Sequence, residues 1–171
     1  WELIHMPDSL VGVNTQIPNR LTACAIEAGD VVELSGYDRV KREVKAGSHS
    51  RIDILLEAAG RRPCYVEVKN CTLVTDGVAT FPDAATTRGQ KHLTELQSLV
   101  ADGCRCAMFF LVQRMDARSF APADAIDPVY GMKLRQAAEH GVEILVYDVS
   151  IDLQGIRLNS PLPYELRPPT G

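Results

Sequence analysis

The stretch Arg51-Ile52-Asp53-Ile54-Leu55-Leu56-Glu57, followed after a six-residue connector by Cys64-Tyr65-Val66-Glu67-Val68-Lys69, decides the fold. Both segments alternate with a period of two, the signature of strands. In the first, Ile52, Ile54 and Leu56 take one face and Arg51, Asp53, Leu55 and Glu57 the other. In the second, Val66 and Val68 oppose Tyr65, Glu67 and Lys69. The connector Ala58-Ala59-Gly60-Arg61-Arg62-Pro63 reads as a hairpin loop.

Folding the strands back about Gly60 sets Asp53 opposite Glu67, Arg51 opposite Lys69 and Leu55 opposite Tyr65. Directly opposed residues share a face, with Cβ atoms about 4.5–5.5 Å apart. A slip of one residue would turn the charges onto the Ile/Val face, so this register is favoured. The shared face is polar at the end far from the loop and apolar near it, as expected for a site beside a core. Two carboxylates can hold a hard divalent cation through oxygen, and a neighbouring lysine can orient water or stabilise developing charge. The competing reading is an exposed ion pair of small value.

Working outward, residues 1–13 look extended. Short helices are expected from Arg20-Leu21-Thr22-Ala23-Cys24-Ala25-Ile26 through Val31, Val32 and Leu34, broken by Gly29 and Gly36. A weak strand surrounds Val44. After Pro82-Asp83 the spacing of Leu93, Leu96, Leu99 and Val100 predicts a helix from Thr87 to Ala101, with Gly103 just past its end. The run Ala107-Met108-Phe109-Phe110-Leu111-Val112 predicts a central buried strand over 105–113. A helix near 128–140 and a strand over 142–147 follow. The tail with Pro161, Pro163, Pro168 and Pro169 reads as an edge strand and loose chain. Early strands joined by hairpins and later ones joined through helices imply an α/β fold, a mixed central sheet flanked by helices.

Composition bounds the function. The chain has 171 residues, 46% hydrophobic and 23% charged, enough for one domain with a full core. A net charge of −4 argues against coating nucleic acid by bulk charge. It permits a nucleic-acid enzyme, because a bound cation offsets an acidic site. Basic residues gather at Arg39, Lys41, Arg42, Lys45 and Arg51, and again at Arg88, Lys91 and His92. No apolar run is long enough to span a bilayer and no signal-peptide pattern opens the sequence, so no membrane partner is expected. Five cysteines without a C-x-x-C pair read as reduced thiols of a cytoplasmic protein. Nucleotide-binding glycine loops and a nucleophile elbow are missing from the sequence.

Further candidates surround the hairpin. Thr86-Thr87-Arg88-Gly89-Gln90-Lys91-His92 puts polar and cationic groups at a helix start, where free N–H groups favour anions. Arg88 and Gln90 to His92 could contact a phosphate or position water; an ordinary solvated first turn is the alternative. Glu33 and Glu43 are both candidates for a third metal carboxylate.

The segments Asn19-Arg20-Leu21, Glu33-Leu34-Ser35-Gly36-Tyr37, Arg51-Ile52-Asp53, Tyr65-Val66-Glu67-Val68-Lys69, Phe81-Pro82-Asp83-Ala84, Thr87-Arg88-Gly89-Gln90-Lys91-His92-Leu93 and Gly141-Val142-Glu143-Ile144-Leu145 together resemble the sugar fermentation stimulation protein family. The resemblance covers nearly the whole chain. It implies a restriction-endonuclease-like PD-(D/E)xK core over residues 19–160. Residues 1–18 would be an extended linker from an N-terminal OB-like domain, largely absent here, and 161–171 a Pro-rich tail. It further implies that Asp53 and Glu67 are the metal carboxylates, joined by Glu33 or Glu43, that Lys69 is the catalytic lysine, and that Gln90 is the polar residue of the following helix.

The expected function is a DNA-binding protein with a Mg²⁺- or Mn²⁺-dependent nuclease site, in which Arg51, Arg88, Lys91, Arg42 and Lys45 contact nucleic acid. The alternative is a non-catalytic, non-specific DNA-binding factor regulating maltose and other sugar metabolism on the same fold. The oligomeric state stays open, a homodimer included.

Overall fold

The structure, a computed structural model, describes residues 3–6, 9–12, 17–46, 50–152 and 154–167. Strands β1 (Leu3–Met6) and β2 (Ser9–Gly12) pair as an antiparallel hairpin. Helix α1 (Ile17–Ala28) and a 3-10 turn (Val32–Leu34) follow. Then come β3 (Arg39–Ala46), β4 (Ser50–Glu57) and β5 (Cys64–Cys71). Two short strands, β6 (Leu73–Thr75) and β7 (Val78–Phe81), lead to α2 (Thr87–Ala101) and β8 (Arg105–Val112). The chain continues through β9 (Ser119–Pro122), α3 (Pro128–Glu139), β10 (Glu143–Asp152) and β11 (Gly155–Pro161).

The main sheet has the order β11-β10-β8-β5-β4-β3. Its centre, β5, β8 and β10, is parallel, and the hairpin-linked strands at both sides are antiparallel. This is the mixed α/β sheet expected from the alternation of hairpins and helices. The small sheet β6-β7-β9 leaves little trace in the sequence, because its strands are only three or four residues long and carry little alternation. Among the described residues, no helix is long and apolar enough to cross a membrane.

Two cores explain the continuous apolarity of β8. Met108 and Phe110 pack beneath α2 and α3 with Leu93, Leu96, Tyr130 and Leu134. Phe109 and Leu111 pack on the opposite face with Ala23 and Ile26 of α1 and with Tyr147, whose ring stacks on Phe109 at 5.4 Å. A strand covered on both faces needs no polar alternation, and each buried Phe contributes about 1.5–3 kcal/mol.

Helix α2 starts where Thr86 Oγ1 accepts from Gly89 N (3.0 Å), and α3 where Asp127 Oδ1 accepts from Tyr130 N (2.9 Å) with Pro128 in the first turn. A Cβ on Gly89 would lie 2.8 Å from the Thr86 methyl and 3.1 Å from the Tyr130 ring, so α2 and α3 meet closely there.

The central hairpin departs from strict symmetry. Leu55 pairs with Tyr65 as expected, but the β4–β5 ladder ends at Ile54 opposite Val66. On the other side, β3 pairs with β4 at Arg42–Ile54 and Val44–Ile52 and skips Glu43 and Asp53 between them. Glu43 has φ +52°, a left-handed conformation that swings its peptide groups out of the ladder. The strands therefore rotate at this point. Ile54 and Leu56 belong to the α1 core, whereas Ile52, two residues away, belongs to the α2–α3 core. The single apolar face expected for Ile52, Ile54 and Leu56 is thus split at Asp53, and the Asp53–Glu67 and Arg51–Lys69 pairings do not form.

Candidate active site

The place where β4 leaves β5 holds Asp53. With the ladder ended, the Val68 N–H would lack a strand partner, and it donates to Asp53 Oδ2 at 2.9 Å. Asp53 Oδ1 accepts from Asn19 Nδ2 at 2.6 Å, which ties the first turn of α1 to the fork. Burial raises the Asp53 carboxyl above its usual 3.8, and the neighbouring charge of Glu67 adds to it, against the lowering effects of Val68 N–H, Lys69 and Asn19. Asp53 and Glu67 are therefore close enough to repel, although they are not ladder partners.

Glu67 stands on the α2 side of β5 and is 1% exposed. Its Oε1 accepts from Lys69 Nζ at 2.6 Å and lies against His92 Nδ1, which places the imidazole proton on Nδ1. Lys69 Nζ is 3.4 Å from the same nitrogen. Burial works against ionised Glu67, but the His92 hydrogen bond and the Lys69 charge outweigh it and hold the carboxyl below its usual 4.5. The second oxygen, Oε2, is buried with no hydrogen-bond partner among the described residues.

That orphaned oxygen tests whether the site fits a cation. A buried carboxylate oxygen without a donor costs about 1–3 kcal/mol or more, and native structures rarely leave one so. A divalent ion held by Asp53 and Glu67 would satisfy Oε2 and offset the burial and, after it, the Glu67 repulsion that raise Asp53. The donors are all oxygen, the ligand type of hard cations. Among the described residues no group of three or more His, Cys, Asp and Glu side chains closes into a cage, so water or substrate oxygen would complete the coordination.

The remaining sequence candidates scatter. Gln90 does not turn to Glu67; its Nε2 donates to both oxygens of Asp127, at 3.0 and 3.1 Å. The carboxylate of Glu33 accepts from Tyr147 Oη at 2.7 Å, and no hydrogen bond joins it to Asp53 or Glu67. Glu43 lies across from Asp53 in the β3–β4 register, but its exposed side chain reaches Arg51 at 3.8 Å. Neither acid is brought to the pair, because a competing partner holds each one. Arg42, Lys45 and Arg51 are exposed on the β3–β4 hairpin, and Arg88 and Lys91 are exposed on the first turns of α2.

Three residues gain a role that spacing did not give them. Asn19 orients Asp53 and His92 orients Glu67. Asp127 accepts from Thr86 N (2.9 Å), Gln90 and Tyr130 N, so one buried carboxylate locks the start of α2 to the start of α3. Burial opposes its charge, yet these hydrogen bonds hold it below its usual 3.8. His92 was detectable as a polar member of the stripe it shares with Leu96 and Leu99, and Asp127-Pro128 as a capping pair.

Residues 16–155 match the model of the sugar fermentation stimulation protein RE domain. Sugar fermentation stimulation protein homologs from Citrifermentans bemidjiense and Geobacter sulfurreducens are 53% and 54% identical over 163 residues, 95% of this chain and 70% and 69% of theirs. The structure of Pyrococcus furiosus SfsA in complex with Ca²⁺ superposes with a TM-score of 0.88 at 30% identity, covering 96% of this chain and 71% of that one. With a family domain over most of its length and relatives of such identity, the chain belongs to the sugar fermentation stimulation protein family.

Proposed function

We propose that the chain hydrolyses phosphodiester bonds of nucleic acid, DNA in the first instance, with the help of Mg²⁺ or Mn²⁺. The observation that carries this reading is the convergence of Asp53, Glu67 and Lys69 at the β4–β5 fork, with Glu67 Oε2 buried and, among the described residues, unpartnered. The Ca²⁺ complex of the Pyrococcus furiosus relative supports a hard-cation site. Five free cysteines fit a reducing compartment such as the cytoplasm.

Asp53 and Glu67 would hold the cation, Asp53 fixed by Asn19 and the Val68 N–H, Glu67 by His92. When bound, the cation supplies positive charge to phosphoryl oxygens and lowers the pKa of nearby water. Lys69, with its side chain 14% exposed, would donate to the attacking water or to a phosphoryl oxygen as charge develops. Arg88 and Lys91, exposed on the first turns of α2, would hold a flanking phosphate. Asp127 keeps that helix start in place through Thr86 and Gln90.

A second reading, a DNA-binding regulatory factor of sugar metabolism without turnover, draws on a different observation. Glu67 Oε1 is already engaged by the Lys69 ammonium and by the His92 ring, so the charge of the fork is partly neutralised by Lys69. A cleavage panel separates the two. Linear, supercoiled and single-stranded DNA and RNA are incubated with the chain in Mg²⁺, Mn²⁺ or EDTA. The hydrolytic reading expects cation-dependent cutting that Asp53→Ala, Glu67→Ala and Lys69→Ala each abolish. No cutting of any substrate in either cation, with binding retained, favours the regulatory reading.

A further inference from the structure

The charge of the chain is unevenly spread. Residues 39–51 carry five cations, Arg39, Lys41, Arg42, Lys45 and Arg51, against one acid, Glu43, a formal +4. The whole chain is −4, so the remainder is −8. This cationic segment is the β3–β4 hairpin, whose outer part, past Glu43 and Asp53, has left the β5 ladder.

The rotation at Asp53 arranges the charges. Opposed residues share a face, so Arg42 goes with Ile54 and Lys45 with Arg51. Ile52 turns into the α2–α3 core, so Arg51 and Lys45, one residue along, point away from that core. Ile54 belongs to the α1 core on the other side of the sheet. The change of parity therefore brings Arg42, Lys45 and Arg51 to the same side of the ribbon; without it, Lys45 and Arg51 would face opposite to Arg42.

Lys45 directly across from Arg51 is a like-charge pair, an arrangement that destabilises a sheet unless an anion lies between. The acid on the hairpin does little to relieve it: Glu43 is 3.8 Å from Arg51, with both side chains more than 60% exposed. Arg42 and Lys45 have no ion-pair partner among the described residues. Between Arg39 and Arg51 there is no Phe, Tyr or Trp on which unpaired bases could stack. A two-stranded ribbon with cations and without stacking platforms suits a duplex backbone, and such a ribbon fits the major groove.

We propose that the outer β3–β4 ribbon is a clamp for double-stranded nucleic acid, in which Lys45 and Arg51 grip one phosphate and Arg42 a neighbouring one. This rests on the nucleic-acid reading of the fork, beside which the ribbon stands, and it narrows the substrate to duplexes.

The test is fluorescence anisotropy in EDTA, with a labelled 20-base-pair DNA and its single strand, over a series of salt concentrations. The wild-type chain is expected to bind the duplex more tightly than the strand. The triple variant Arg42→Gln/Lys45→Gln/Arg51→Gln should show a salt slope shallower by about 1.8 on the duplex, from roughly 0.9 for each phosphate released. Its melting temperature should not fall, because a like-charge pair has been removed. No duplex binding by the wild type, an unchanged slope, or preference for the single strand overturns the clamp. If the triple variant melts lower, Glu43→Gln must tighten duplex binding, and failure to do so overturns it as well. EDTA separates the two proposals. A duplex held through the ribbon but never cut in Mn²⁺ defeats only the hydrolytic reading. Cutting with a slope unchanged by the triple variant defeats only the clamp.

Discussion

Replacing Asp53 by Asn separates the charge of this side chain from its hydrogen bonds. The amide oxygen can keep the bond from Val68 N (2.9 Å), and the amide NH₂ can donate to Asn19 once the Asn19 amide turns over, so both contacts survive as neutral ones. The loss of charge assistance is roughly 1 kcal/mol per bond. Burial and then the charge of Glu67 act the other way. They win, since the carboxyl is held above its usual 3.8 with those bonds in place. The fold thus prefers an uncharged group here. In EDTA at pH 7, Asp53→Asn should melt at or above the wild type, by up to about 4 °C. Asp53→Ala instead strands the Val68 N–H and the Asn19 amide, at about 1–3 kcal/mol each, and should melt roughly 4–24 °C lower. Cation reverses the order. At a concentration 100 times the dissociation constant, Mn²⁺ or Mg²⁺ should stabilise the wild type by about 2.7 kcal/mol, about 5–10 °C, and Asp53→Asn hardly at all. Thermal melts followed by circular dichroism, with and without cation, measure all four values. Equal losses for the Asn and Ala variants in EDTA, or a full cation response in Asp53→Asn, would refute the reasoning.

Other outcomes follow from the same geometry. Glu67 has a folded-state pKa below its usual 4.5, so its stabilisation is fully present above pH 4.5 and is lost as pH falls through the folded value. Glu67→Gln should therefore cost stability at pH 7 and flatten the acid limb below pH 4.5 in melts run across pH; an unchanged acid limb contradicts the His92–Lys69 cage. Asp127→Ala removes the α3 cap and strands Thr86 N, together about 2–4 kcal/mol, so its urea midpoint should drop clearly. A shift as small as that of a surface variant would deny Asp127 its locking role. Cys24 is exposed, whereas Cys64, Cys71 and Cys106 are buried, and burial pushes the thiols of Cys64 and Cys106 up to about 12. A thiol reagent should modify Cys24 rapidly in the native chain and all five cysteines only after denaturation. Fast native modification of Cys64 or Cys106 would show that the sheet opens.

The parts of this fold visible in sequence are those whose pattern has one cause. Helix α2 follows from its leucine stripe and the Gly103 stop, and β8 from unbroken apolarity, since a two-sided core leaves no polar position. The β4–β5 hairpin is legible near its loop, where Leu55 meets Tyr65, but not at Asp53. There, alternation says one face, while a left-handed Glu43 on the neighbouring strand and a side-chain acceptor for Val68 N split it in two. No local pattern encodes either, because both depend on a partner 10 or 15 residues away. The same holds for the site. The types Asp, Glu and Lys announce the chemistry, but Gln90 and Glu33 are drawn off by Asp127 and Tyr147, residues 37 and 114 positions away in the chain. The β3 strand looked weak because cations interrupt Val40 and Val44; as the edge of the sheet it can carry them.

The hydrolytic reading depends on Asp53 and Glu67 holding a cation together. Titration of metal-stripped chain with Mn²⁺, with free Mn²⁺ counted by electron paramagnetic resonance, measures this directly. The account predicts Mn²⁺ uptake that Mg²⁺ displaces and that Asp53→Asn and Glu67→Gln each abolish. No uptake by the wild type, or uptake that survives both substitutions, would contradict it.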